Sequence, residues 1–224
     1  MTRDVRQHAP GRAPRGACLR KATRNTQGVI RSGLDVKSWA EKLPTPEEVR
    51  PACCPGCGAA SRPLGGHLVL HGHGVRSRQL RGPTTADGTP LTRLVVVRRY
   101  RCQRCGATPT VVPAGVVARY LFSGPAVALA LALFGVTGLA LAEVRRRVSP
   151  WATVGATAAA GWGTLRRWAA AVRAGRLFGV RAVPEGWTAR QVAARAATTL
   201  AARAPAAAGT ADVVADAFVG ALSG

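Results

Sequence analysis

The residues best suited to chemistry are four cysteines. They form two C-x-x-C pairs, Cys54-Pro-Gly-Cys57 and Cys102-Gln-Arg-Cys105, each followed by glycine, at Gly58 and Gly106. Two such pairs supply four thiolates for a tetrahedral zinc ion. The two-residue gap lets the chain wrap one edge of the metal, so that backbone amides point at sulfur. Glycine after the second cysteine takes the positive φ that this tight knuckle needs. Four thiolates close the coordination shell and leave no place for water, so the spacing predicts a structural Zn2+ ion and not a catalytic one. Redox C-x-x-C sites open a helix in a βαβ unit, a pattern that does not surround these pairs. Cys53 is expected to point away from the metal and Cys18 to be a free thiol. His67, His71 and His73 are expected on a strand surface, because the cysteines already satisfy the ion.

The segment between the pairs must bring them together. Residues 67–72 (HLVLHG) and 91–101 (LTRLVVVRRYR) are rich in strand formers, and the second run leads straight into the second knuckle. Residues 82–90 (GPTTADGTP) carry turn chemistry. The arrangement predicts a hairpin with a long tip, closed by metal at its base: a zinc ribbon.

Charge points to the partner. The chain has 224 residues, with 32 Lys+Arg against 10 Asp+Glu and a formal net charge of +22. GC-rich coding inflates Arg, Ala, Gly and Pro together, but it does not explain the shortage of acids. Residues 49–120 hold 11 arginines and one acid, Asp87; residues 143–181 hold 8 arginines and one acid, Glu143. An excess of this size predicts a polyanionic partner, nucleic acid before an anionic membrane surface. Arg98, Arg99, Arg101 and Arg104 beside the second knuckle, and Arg76, Arg78 and Arg81 on the hairpin, are the expected phosphate contacts. Aromatics are only 5% of the chain, so the core must be spread over small units.

Between the basic segments, residues 121–142 carry no charge. Within them, GPAVALALALFGVTGLALA (124–142) alternates Leu or Val with Ala. Alanine favours helix over strand, Ser123 and Pro125 fit a helix start, and Gly135 fits a helix end. Two short helices joined by a turn follow, the second from Leu139 to about Val148 with Arg145, Arg146 and Arg147. The alternative is a single membrane span at 124–142 with a cytoplasmic zinc ribbon. Further on, Leu165, Trp168 and Val172 share one face of a helix capped by Thr164, while Arg166, Arg167 and Arg173 occupy other faces. A thin apolar stripe with arginines outside is the form of a recognition helix in a helix–turn–helix unit. Asp212 and Asp216, at i and i+4, read as a solvated helix face.

The expected fold class is therefore α+β: a small zinc-ribbon hairpin, then a mostly helical helix–turn–helix region, with a flexible basic N-terminal arm. The divisions are 1–35 (disordered arm), 36–50 (short helix and linker, with Trp39 as anchor), 51–115 (zinc ribbon), 116–180 (helix–turn–helix region) and 181–224 (C-terminal Ala-rich helices). The first 26 residues are basic and polar without an apolar stretch, which predicts a cytoplasmic protein.

In this order, CPGCG, a hairpin with HGHG, RRYRCQRCG and a helix containing TLRRW resemble the N-terminal DNA-binding region of bacterial insertion-sequence transposases. The likeness covers about residues 36–175. It is closest to short transposase-associated proteins with a zinc ribbon and a helix–turn–helix. The resemblance implies recognition of DNA at element ends, with a transposase or a second copy of the chain as protein partner. The larger transposases add a nuclease with convergent carboxylates for two metals. Here only about 50 residues follow the recognition helix, and they hold three acids. The expectation is a DNA-binding protein and not an enzyme.

Overall fold

The computed structural model describes residues 28–152, 161–181, 183–206 and 212–222. Over these the protein is a mixed α+β fold with a four-stranded sheet and six helices. Strands β1 (Val29–Arg31), β2 (Leu70–Gly82), β3 (Leu91–Cys102) and β4 (Thr110–Val112) form the sheet in the order β1-β4-β3-β2. Helix α1 (Val36–Glu41) follows β1 in the chain. Helices α2 (Gly124–Gly135), α3 (Leu141–Val148), α4 (Gly163–Arg173), α5 (Ala189–Ala201) and α6 (Val213–Gly220) follow β4.

The hairpin is longer than its composition suggests. β2 starts at Leu70, opposite Cys102, and continues to Gly82, opposite Leu91, with a register shift between Gly72 and Val75. The polar run from His71 to Arg81 has little apolar alternation of its own; pairing to the Val-rich β3 carries it into the sheet. The arm expected over residues 1–35 ends earlier than its composition implied. Val29, Ile30 and Arg31 pair in parallel with β4, which in turn pairs antiparallel to β3. Three residues give no periodic signal; what makes them a strand is the free edge of β4. Residues 1–27 of that arm lie outside the described residues.

Asp35 caps α1 by accepting from the amides of Lys37 (2.8 Å) and Ser38 (3.0 Å). The hydrogen bond from the Ser38 hydroxyl, then the amide bonds, hold its carboxyl below the usual aspartate range. The helix lays Trp39 on the sheet core with Leu80, Val95, Val97 and Val111, and the Trp39 Nε1–H donates to the Val96 carbonyl at 2.6 Å. Arg98 Nε and the Tyr100 hydroxyl each donate at 2.7 Å to the carbonyls of Pro44 and Pro46, which fastens the α1 linker across β3.

The uncharged stretch builds the centre of the helical half. Ser123 accepts from the Ala126 amide at 3.1 Å and Pro125 occupies the first turn of α2. Residues Gly124 to Leu133 are all buried, because α3, α4, α5 and α6 surround the helix. Ala128 and Ala132, at i and i+4, form one close-packed face with Ala197 and Leu200 of α5 and Ala217 of α6. Leu129, Leu131 and Leu133 belong to a larger core that also holds Val144 and Val148 of α3 and Leu165 and Trp168 of α4. No helix among the described residues is long and apolar enough to cross a membrane. The chain turns after α2, where the Thr137 hydroxyl bonds the Leu133 carbonyl at 2.7 Å, and α3 begins at Leu141 rather than Leu139.

Gly135 sits where α2 meets α5. A Cβ there would lie 2.2 Å from the Ala194 backbone nitrogen and 2.7 Å from the Ala193 carbonyl carbon. Gly135→Ala is expected to lower stability by about 1–3 kcal/mol, the usual cost of forcing a packed interface apart. Chemical denaturation measures it. An unchanged or raised midpoint would contradict this close approach.

Candidate metal centre

Two knuckles of the same build face each other. In the first, the Cys54 amide donates to the Ala59 carbonyl (2.8 Å) and the Gly58 amide to the Cys54 carbonyl (2.8 Å). In the second, Cys102 donates to the Ala107 carbonyl (2.9 Å) and Gly106 to the Cys102 carbonyl (2.9 Å). The turns close because Gly58 (φ 70°) and Gly106 (φ 73°) adopt the left-handed region. Both stretches read C-x-x-C-G-A. That six-residue repeat, with alanine as the carbonyl that closes the turn, was legible in the sequence beyond the cysteine pairs themselves.

The knuckles converge because β3 ends in Cys102, paired with Leu70 at the start of β2, while residues 51–69 fold back along the same end. There the Ser61 amide bonds the Ala52 carbonyl (2.9 Å), Val69 bonds Ser61 (2.9 Å) and Gln103 bonds Val69 (2.9 Å). The Sγ atoms of Cys54, Cys57, Cys102 and Cys105 all lie within 4.8 Å of one another. Cys54 to Cys105 is 3.7 Å and Cys57 to Cys102 is 3.8 Å. Sulfurs about 2.3 Å from a shared ion at tetrahedral angles stand about 3.8 Å apart, whereas disulfide sulfurs stand about 2.05 Å apart. The four thiols therefore have the spacing of a ligand set, and they can hold a metal ion.

Burial is graded across the site. Cys54 and Cys102 are buried, Cys57 is half-buried and Cys105 is exposed. Burial pushes the Cys54 thiol up to about 12, against hydrogen bonds from the Cys57 and Gly56 amides. Burial also raises Cys105. At Cys102 burial acts in the same direction, but the amides of Cys105 and Arg104 and the neighbouring thiols outweigh it, and the net shift is downward. The Gly56 amide lies 3.4 Å from the Cys54 sulfur, the kind of contact that favours a thiolate. With a divalent ion the four thiolates would leave two negative charges uncompensated, and Arg101 and Arg104 lie in and beside the second knuckle.

His67, His71 and His73 are exposed and stand outside the cluster; His71 Nε2 contacts the Leu68 carbonyl at 2.8 Å. Cys53 is also outside it, but it is disulfide-bonded and so is not an idle thiol. Cys18 lies outside the described residues. Asp212 caps α6, accepting from the Val214 amide at 2.9 Å.

The arginines expected at DNA divide into two groups. Several are engaged by the protein itself. Arg78 Nη2 donates to the carbonyls of Val117 (2.7 Å) and Tyr120 (2.9 Å), and burial, then Arg76, lowers its pKa. Arg98 holds Pro44, as described, Arg146 and Arg147 pair with Glu143, and Arg173 donates to the Trp187 carbonyl. The Arg81 guanidinium lies over the Trp151 ring, 5.3 Å from its centroid. Arg76, Arg101, Arg104, Arg166 and Arg167 are exposed, and Arg99 and Arg145 are half-buried. Thr164 is not the cap of α4. That position falls to Trp162, without a side-chain bond, because Phe122, Trp162 and Trp168 pack edge to face with centroids 5.0–5.8 Å apart. Thr164 sits in the first turn and accepts from Arg167 at 3.1 Å.

Comparison with protein families, curated proteins and solved structures finds no match for this chain.

Replacing any one of the four cysteines by serine is expected to weaken cobalt(II) binding by the full chain. It should reduce the sulfur-to-cobalt charge-transfer absorption, while Cys53→Ser leaves that band intact. Equal bands in the wild type and in Cys102→Ser would refute the four-sulfur site.

Proposed function

We propose that this is a zinc-dependent protein that binds double-stranded DNA, related in plan to the DNA-recognition region of insertion-sequence transposases and without a catalytic domain of its own. In this reading, zinc held by Cys54, Cys57, Cys102 and Cys105 makes residues 51–115 a zinc ribbon. Sulfur-only tetrahedral sets select zinc or iron, and a closed four-thiolate shell with no open position suits zinc in a structural role. Helices α2, α3 and α4 supply the helix–turn–helix region.

The observation that carries the reading is the division of α4. Leu165, Trp168 and Val172 are buried in the core shared with α2 and α3, while Arg166, Arg167 and Arg173 are exposed. Among the described residues Arg166 has no ion pair or side-chain hydrogen bond, which leaves its guanidinium available to a base edge or a phosphate. Supporting it are the net charge of +22 and the exposed Arg101 and Arg104 beside the metal ligands.

The test is binding of the purified protein to duplex DNA flanking its own gene, against a scrambled duplex, over a range of salt. Arg166→Ala and Arg167→Ala together are expected either to erase the preference or to lower the log–log salt slope by about 1.8, depending on whether the pair reads bases or phosphates. Zinc chelation is expected to remove the preference. Equal, chelator-indifferent binding to both duplexes would reduce the affinity to bulk charge.

A further inference from the structure

Two adjoining cavities mark the joint between the sheet and the helices. One, of about 640 Å³, is lined by Arg76, Arg78, Arg119 and the edge of β2 at Ser77 and Gln79. The other, of about 850 Å³, is lined by Arg81, Arg119, Arg167, Arg176 and Thr164, with the wall of α4 at Trp168 and Ala171. Arg119, Tyr120 and Leu121 line both, so the two make one groove from the β2 edge to α4. Among the described residues six arginines line it, and no Asp or Glu does.

The loop that carries Arg119 is held firmly. Arg78 binds the carbonyls on either side of it, at Val117 and Tyr120. The Arg81 amide donates to the Leu121 carbonyl (2.8 Å), and the Ser123 amide donates to the Arg81 carbonyl (3.0 Å). Arg119 itself is in the left-handed region, with φ 66°. For a residue other than glycine that conformation is strained, and it persists only where the surroundings over-determine it. The result is an exposed arginine whose backbone is held at the midpoint of the groove. Arg76, Arg119 and Arg176 have no ion pair or side-chain hydrogen bond among the described residues. The buried Nε–H groups of Arg78 and Arg81 find no acceptor there either. A row of like charges with no acid among the described residues, and with orphaned donors behind it, is a site for a ligand that brings repeated oxyanions.

We propose that this groove holds the sugar-phosphate backbone of one strand of a DNA duplex, with Arg119 and Arg176 as phosphate ligands. The inference rests on the DNA-binding reading above and gives it a docking track. The groove is too small to enclose a duplex, so it takes one strand, and that fixes the position of the duplex over α4. Arg119 comes from the loop after the sheet and Arg176 from beyond the end of α4. One strand in the groove therefore bridges both halves of the protein. Phosphate contacts carry no base information, so this site sets affinity and register, not sequence choice.

The test is Arg119→Gly combined with Arg176→Ala. Glycine accepts the left-handed backbone, so the first change removes the guanidinium without adding strain. Arg176→Ala alone, at an exposed position, serves as the second variant should the pair fail to fold. Duplex binding is measured against salt, alongside metal content and the unfolding midpoint. Expected for the pair are unchanged metal content and midpoint, binding weaker by about tenfold, and a salt slope smaller by about 1.8. The ratio between flanking and scrambled duplex should stay as in the wild type. Arg176→Ala alone should lower the slope by about 0.9. Wild-type affinity and slope in either variant would overturn the groove while leaving DNA binding by the protein intact. Failure of the wild type to bind any duplex would overturn both. Equal or tighter binding of single strands with the same slope, with the exposed Trp151 beside Arg81 as a stacking platform, would overturn the duplex assignment.

Discussion

The convergence of four sulfurs at one end of the sheet is the constraint on which the rest depends. Cys54 and Cys57 precede the hairpin, Cys102 ends it and Cys105 follows it, so their approach fixes both ends of a segment of about 50 residues. β2 could not hold its register by hydrophobicity alone, since from His71 to Gln79 it buries little. Closing the base of the hairpin holds the polar strand against β3, and β3 then gathers Trp39, Val111 and Tyr100 into a core. In small units with thin cores a metal ion commonly supplies the missing stability.

A second constraint joins this sheet to the helices. Val116 belongs to the core of the sheet, while Val117 and Phe122, a few residues on, belong to the core of the helices. The loop between them is pinned by the backbone of Arg81 and by the side chain of Arg78. Phe122 ends it in an edge-to-face group with Trp162 and Trp168. Arginines on β2 and on α4 are thus held on one continuous surface. Even the two β2 arginines that the fold uses for its own carbonyls and rings shape the groove in which the others stand.

Local patterns in the sequence were informative where a feature is satisfied within a few residues. The cysteine pairs with their glycines, the Ser123 cap with Pro125, and the Leu165–Trp168–Val172 stripe were all legible. The Leu–Ala alternation of α2 read correctly as helix because alanine favours it, although its use became clear only with the partners. Its Ala128–Ala132 face needs the alanines of α5. What was not legible depends on distant partners. Three residues at Val29–Arg31 become a strand only because β4 offers an edge. Thr164 loses the capping position because an aromatic group draws Trp162 inward. Arg78 and Arg98 look like phosphate ligands in sequence, yet their guanidiniums satisfy carbonyls 39 to 54 residues away. Arg119 and Arg176 looked ordinary, because only the folded loop shows that they share a groove.

The central claim is that the four thiols hold one zinc ion. Zinc K-edge X-ray absorption on the purified protein tests it most directly. The prediction is one zinc per chain with a single shell of four sulfurs at about 2.3 Å. A shell containing nitrogen or oxygen, or a chain that retains no zinc, would contradict it.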